Sequence, residues 1–94
     1  MYQKPTIFNL TLTLAGTEYP QAIPLNARKF VLRERSGGSD VQLAFVPGES
    51  GTNFVTIPAG SSKALDGVYL SGLSLFLQSP DAGKIVEIEV WSDK

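Results

Sequence analysis

The sequence has no cysteine and no histidine among its 94 residues. Without cysteine there is no disulfide framework and no thiolate nucleophile, and without histidine the usual general base and the commonest zinc ligand are missing. Eight basic and nine acidic side chains leave a formal net charge of −1, so the chain has no overall field that attracts nucleic acid or an anionic membrane. We therefore expect a chain that is not an enzyme and has no catalytic residues, no metal ion and no cofactor.

Long apolar runs are missing as well. No run approaches the roughly 20 residues that span a bilayer, and the segment from Met1 to Pro5 contains no signal-peptide core. We expect a soluble chain that is made in a cytoplasm and has no membrane partner. Hydrophobic residues still make up 43% of the chain and charged residues 18%, which suits one packed core. The length predicts a single domain over residues 1–94, in which the polar segment 1–6 becomes ordered only on contact.

Apolar and polar residues alternate between turns rich in glycine and proline, and no stretch keeps a helical period. The pattern predicts seven or eight short strands in an all-β fold, a small antiparallel β-sandwich or jelly roll, with a small barrel as the alternative. The first strand is predicted to bury Phe8, Leu10, Leu12 and Leu14, and the last strand, Ile85 to Trp91, is predicted to bury Val86, Ile88 and Val90.

The middle of the chain indicates a hairpin. Residues 29–35 are predicted to form a strand with Phe30 and Leu32 inward, the loop Ser36–Asp40 to turn the chain, and residues 41–46 to return beside it. Before this hairpin, Pro20 and Pro24 allow residues 22–25 only an edge strand or an extended segment. After it, residues 54–57 are predicted as a short strand, residues 61–67 as a connecting loop with at most one helical turn, and residues 68–70 and 73–77 as further strands.

Three groups of side chains suggest chemistry, and each has a simpler interpretation. Glu87 and Glu89 share one strand face and are predicted to pair with the basic row of Arg33 and Arg35 across the sheet, in preference to a glycosidase carboxylate pair. Ser61, Ser62 and Lys63 suggest a serine nucleophile beside a lysine base, but a polar turn is favoured. The third hypothesis is binding of single-stranded nucleic acid, for which the candidate residues are Arg28, Lys29, Phe30, Arg33 and Arg35. The sequence favours a salt-bridged strand or a protein contact for these residues, and no nucleic-acid partner is expected.

Amphipathic aromatic residues occur near the predicted strand ends. Either their rings lie at the edge of the core with the polar atom in solvent, or they are anchors of a protein interface. Arginine in a basic row adds a contact at the rim of such an interface. The candidate interface residues are Tyr2, Tyr19, Arg33, Arg35, Tyr69 and Trp91.

Six predicted strand and turn segments follow one another between Asn26 and Trp91, namely Asn26–Phe30, Leu43–Phe45, Phe54–Ile57, Tyr69–Leu73, Gln78–Gly83 and Val86–Trp91. Through these segments, about two-thirds of the chain resembles small accessory virion proteins of tailed bacteriophages. The resemblance implies a capsid decoration or cement protein that is located in the virion, contacts the major capsid protein or another virion protein, and forms a symmetric homo-oligomer, with a trimer as one option. It implies no small-molecule substrate.

The first 25 residues match that family less clearly, which leaves open whether the N-terminal strand pairs within its own subunit or reaches a neighbour. A glycan-binding accessory module of a tail or fibre is the alternative function, based on a sandwich fold with Tyr19, Tyr69 and Trp91.

Overall fold

A computed structural model describes residues 4–24, 27–66 and 73–92, which form eight strands in two antiparallel sheets of four. The strands are β1 (Thr6–Leu12), β2 (Tyr19–Ala22), β3 (Ala27–Glu34), β4 (Val41–Ala44), β5 (Val55–Ile57), β6 (Ser62–Asp66), β7 (Ser74–Gln78) and β8 (Lys84–Ser92). Sheet A has the order β1-β8-β3-β6 and sheet B the order β2-β7-β4-β5. The predicted all-β sandwich is confirmed.

The core lies between the inner faces of the two sheets. Period-two alternation places one side of each main strand inward, and each fully buried aliphatic or aromatic side chain contributes about 1.5 to 3 kcal/mol. The predicted inward residues of β3 and β8 are buried, including Phe30, Leu32 and Ile88. Leu12 is buried as predicted, whereas Leu14 lies beyond the end of β1 and is 60% exposed.

The predicted hairpin between residues 29 and 46 is wrong, because β3 and β4 belong to different sheets. β3 pairs with β8 and β6, and β4 pairs with β7 and β5. The loop at residues 35–40 is therefore an arch, a connection that carries the chain from one sheet to the other. β4 also ends at Ala44, so Phe45 lies outside the strand and is 39% exposed.

Four arches connect the sheets in the described part of the chain, at residues 13–18, 35–40, 58–61 and 79–83. Each joins a strand of sheet A to the strand at the same position in sheet B, and the strand directions put all four at one end of the sandwich. Neighbouring arches are hydrogen-bonded. The amide of Gly16 donates to the carbonyl of Ser79 at 2.8 Å, the hydroxyl of Ser39 donates to Asp81 at 2.7 Å, and the amide of Ala59 donates to Asp40 at 2.8 Å.

A buried carboxylate organises the arch at residues 35–40. Glu34 is the last inward residue of β3, and its side chain accepts hydrogen bonds from the amides of Ser36 at 2.8 Å and Ser39 at 3.3 Å. Burial by itself raises the pKa of Glu34, but the hydrogen bonds from Ser36, Ser39 and Gly38 outweigh it and hold the pKa below its ordinary value of 4.5. The charged carboxylate thus satisfies amides that the turn leaves without strand partners.

The loop at residues 45–54 covers the middle of the outer face of sheet B, where Ala44 and Gln78 are buried, whereas Pro20, Ala22 and Thr56 of the same face are exposed. Glu18 anchors this loop, since its carboxylate accepts the amide of Gly48 at 2.8 Å and both the amide and the hydroxyl of Ser50 at 3.0 and 2.6 Å. Beneath the loop, Gln78 is buried although it alternates with the inward Leu77. The approach is close, because a Cβ on Gly51 would lie 2.9 Å from Nε2 of Gln78.

The segment from Ser61 to Gly67 contains a strand, which corrects the predicted loop. β6 pairs with the edge of β3, and its Leu65 packs against the core. Its residues Ser-Lys-Ala-Leu-Asp include no β-branched or aromatic side chain, so local propensity favours a loop and the pairing with β3 overrides it.

Two other predictions are settled in part. The proline-limited edge segment is an edge strand, β2, but it lies at Tyr19–Ala22, a few residues before the predicted position. The predicted strand at residues 68–70 lies outside the described residues, as do residues 1–3 of the N-terminal segment, whereas Thr6 already belongs to β1.

Replacing Glu34 with glutamine should lower the free energy of unfolding by about 1 to 3 kcal/mol, because the arch amides lose a charged acceptor in a buried setting. Chemical denaturation measures the change. Glu89→Gln is the matched control, since Glu89 is exposed on the outer face of sheet A and its change should stay within about 0.5 kcal/mol. Equal stabilities of the two variants would contradict the role given to Glu34.

Candidate binding surface

The outer face of sheet A carries some of the residues that the sequence singled out, among them Arg33, Glu87 and Trp91. The register aligns Ile7, Glu89 and Val31 in one row across β1, β8 and β3, and Asn9, Glu87 and Arg33 in the next row. Trp91 lies opposite Lys29 in a third row. We call this set of outward residues the open face, and within it Ile7 is 61% and Trp91 37% exposed.

Ion pairs join the strands of the open face. Nε of Arg33 donates to Oε1 of Glu87 at 3.1 Å, and Nε of Arg35 donates to Oε2 of the same carboxylate at 2.8 Å. Arg35 also donates from Nη2 to Oδ1 of Asn9 at 2.9 Å and so connects the β3 side of the sheet with β1. The predicted pairing of the basic row with the acidic face is confirmed for Glu87.

The two arginines change the acidity of Glu87. Hydrogen bonds from Arg35 and then Arg33 lower the pKa of Glu87 below its ordinary value of 4.5, with a smaller opposing effect of burial. The side chains of both arginines are about half exposed or more, so water screens these ion pairs and they add little to folding stability. Their main effect is to hold the polar part of the open face in a defined arrangement.

A shallow depression of about 210 Å³ lies in the middle of the open face. Its wall includes Ile7, Asn9 and Val31 beside the charged Arg33, Glu87 and Glu89. Small-molecule pockets usually occupy about 300 to 1,000 Å³ and enclose most of their ligand. The depression is smaller and open, so it suits contact with a protein surface better than enclosure of a small ligand.

The predicted interface residues do not form one cluster. Arg33, Arg35 and Trp91 lie on the open face. Tyr19 lies on the edge strand of sheet B, where its ring packs against the core and its hydroxyl accepts the amide of Leu14 at 3.0 Å. Tyr2 and Tyr69 lie outside the described residues.

The fold does not arrange the other groups of candidate residues for nucleic-acid binding or for catalysis. Phe30 is fully buried, so it cannot stack on a base beside Arg33 and Arg35. Ser61 and Ser62 are both exposed, and Ser62 and Lys63 are consecutive residues of β6 that point to opposite faces of the sheet, so these residues do not form a buried serine–lysine pair. Within residues 4–24, 27–66 and 73–92, no group of three acidic side chains is arranged to hold a metal ion.

Sequence reasoning missed the two structural carboxylates, Glu18 and Glu34, because the amides that they bind come from other loops or from a turn whose shape local composition does not specify. It also missed Ile7 as part of a surface. Its position was implied by the alternation of β1, in which the inward Phe8 places Ile7 and Asn9 on the opposite side.

Comparison with family models, with curated proteins and with solved structures finds no match to this chain. No helix in the described ranges is long and apolar enough to cross a bilayer. The fold and the surface define a small β-sandwich in which one outer sheet face is partly covered by a loop of the chain and the other carries exposed apolar and charged side chains.

The pKa of Glu87 can be measured directly by NMR titration of its side-chain carboxyl carbon. We expect a value below 4.5 in the native chain and a shift toward 4.5 in Arg35→Gln, which removes the largest of the lowering contacts. Because the pKa is lowered on folding, the stabilisation by this cluster is complete above pH 4.5 and is lost as the pH falls below it.

Lys29→Gln is the control for that titration, since it removes a charge from the same face and strand but the contacts that lower the pKa of Glu87 come from Arg33 and Arg35. An equal shift in both variants would mean that general charge, and not the hydrogen bond from Arg35, sets the pKa.

Proposed function

We propose that the chain is a non-enzymatic structural protein of a bacteriophage virion, a capsid decoration or cement protein that binds an assembled particle through the open face. The observation that carries the proposal is the character of this face, where exposed Ile7 and the Arg33–Glu87 ion pair line a shallow depression and exposed Trp91 lies in the adjacent row. Such a surface suits docking on another protein. The resemblance of residues 26–91 to accessory virion proteins supplies the kind of partner, the major capsid protein or another virion protein.

The open face is smaller than the surface that one partner usually contributes to a protein interface. The four strands of sheet A, which have seven, nine, eight and five residues and lie about 4.8 Å apart, present roughly 460 Å². A standard protein interface takes about 800 Å² from each partner. The open face therefore provides roughly 60% of one partner's share, and strand edges or loops beside it must provide the rest.

Binding of this kind stabilises an assembled shell by mass action, because a ligand that binds only the assembled state shifts the equilibrium toward it. No chemistry at the surface is needed. The balanced charges of Arg33, Arg35, Glu87 and Glu89 favour a partner that presents both signs of charge, over a uniformly anionic polymer.

A glycan-binding accessory module of a tail or fibre is the second candidate, and exposed Trp91 is the feature that favours it. An indole on an open sheet face can stack on a sugar ring while neighbouring polar groups bind the hydroxyls. Tyr19 was expected to contribute to glycan binding, but it lies on sheet B. Trp91 is therefore the one described aromatic residue on the open face that supports this hypothesis.

The decisive experiment is a pull-down with the tagged chain from lysate in which particles assemble, followed by mass spectrometry and by sedimentation of the chain with intact particles. We expect a major capsid or other virion protein to be recovered. Trp91→Ala and Val31→Lys should each weaken co-sedimentation at least about tenfold, because they remove apolar contact or add a charge at the centre of the open face.

Val46→Lys is the matched control, since Val46 is 48% exposed but belongs to the loop over sheet B. Its binding should equal that of the native chain. Absence of the chain from purified particles would refute the proposal, and binding of a glycan array that is lost in Trp91→Ala would favour the second candidate.

A further inference from the structure

The two sheets have four edge strands in the described part of the chain, and three of them carry features that oppose pairing with another strand. β6 has Lys63 and Asp66, β2 has Pro20, which lacks an amide donor, and β5 has only three residues. β1 differs. Its seven residues, Thr-Ile-Phe-Asn-Leu-Thr-Leu, contain no charge, proline or glycine, and the sequence carries no charge from Pro5 to Thr17.

The side chains that β1 turns toward the core are incompletely covered. Phe8 lies in register with Ile88 and Leu32 of the neighbouring strands, and those two are fully buried, whereas Phe8 itself is only partly buried. Leu10 is likewise partly buried beside the buried Val86. The core is therefore open along β1, where β8 is the strand's one neighbour among the described residues.

We propose that β1 is a homodimer interface, at which a second copy of the chain pairs antiparallel with β1 about a two-fold axis through Asn9. In this register Phe8 of one copy lies opposite Leu10 of the other, Ile7 opposite Thr11, and Thr6 opposite Leu12. Inward residues pair with inward residues and outward residues with outward residues, so the two copies of sheet A form one continuous sheet of eight strands.

The sequence of β1 favours a second copy of the same chain as the partner strand. A two-fold interface brings each residue close to its own symmetry mate or to one other residue of the same strand, and any charge near the axis would meet a like charge. β1 has no such charge, and its apolar positions 8 and 10 are symmetric about Asn9. The dimer covers the partly exposed side chains of Phe8 and Leu10 in both copies at once.

The pairing is limited to sheet A. β2 occupies the same side of sheet B as β1 does of sheet A, and Pro20 removes one of its four amide donors. Pro5, which has no amide donor, lies directly before β1 and limits the free edge of that strand at its N-terminal end. The inference does not depend on the proposed function, because it is tested in the purified chain without any particle.

The absence of native cysteine allows a direct test of the register. In Asn9→Cys the two thiols of the dimer face each other across the axis, with Cα atoms about 4.5 to 5.5 Å apart, which is within disulfide range. We expect rapid formation of a disulfide-linked dimer under mild oxidation. Thr11→Cys alone should not cross-link, since its symmetry mate lies about 13 Å away along the strands.

A mixture of Ile7→Cys and Thr11→Cys should form the mixed disulfide dimer, although neither variant does so alone. The native chain should also sediment as a dimer of the 10.1 kDa subunit. Thr11→Lys should raise its dissociation constant at least about tenfold, because a lysine on an edge strand opposes pairing, whereas Thr56→Lys on the edge of β5 should leave it unchanged.

Cross-linking of Asn9→Cys no faster than that of Thr11→Cys, or a native chain that stays monomeric at its highest soluble concentration, would overturn the proposal. Equal weakening of the dimer by the two lysine variants would also overturn it, because the interface would then not be specific to β1. A chain that fails this test and still co-sediments with particles would leave the proposed function standing.

Discussion

Burial of alternating apolar side chains between two sheets is the interaction on which this structure depends. Phe30, Leu32, Ile88 and their neighbours fill one layer, and the chain is too small to build a second core. Every strand must therefore place its apolar side in that single layer. This requirement explains why the chain repeatedly crosses from one sheet to the other at the same end, since each crossing supplies one strand to each side of the core.

Crossing between sheets leaves backbone amides without strand partners, and acidic side chains satisfy several of them. Glu34 serves the arch that follows β3, Asp40 binds the next arch, and Glu18 holds the loop over sheet B. Hydrogen bonds from the Ser50 hydroxyl and then from backbone amides lower the pKa of Glu18, and those from Ser36 and neighbouring amides lower the pKa of Glu34 against the effect of burial, so the fold depends on ionised carboxylates. Much of the acidic content of the chain is thus structural.

The outer faces of the two sheets differ in how much of each is exposed to solvent. The loop at residues 45–54 covers part of the outer face of sheet B, while sheet A displays Ile7, Trp91 and the cluster around Glu87. This asymmetry gives the molecule one surface suited to a partner. The uncharged edge of β1 adjoins that surface, so pairing of two copies would double the width of the open face. Attachment to a particle and self-association would then use neighbouring, distinct parts of one sheet.

Alternation in the sequence was enough to predict an all-β sandwich and the inward residues of β3 and β8, because the period of two depends only on the backbone of a single strand. The opposite charges of two outward rows suggested the pairing of Arg33 and Arg35 with the acidic face of β8, and the register of β3 on β8 brings them together. Only the tertiary structure decided which strands are neighbours. The composition of Ser36–Asp40 shows that the chain turns, but whether the flanking strands share a sheet depends on burial among residues far apart in sequence. For the same reason β6 became a strand against its local propensity, and Glu18 and Glu34 acquired partners that no local pattern specifies.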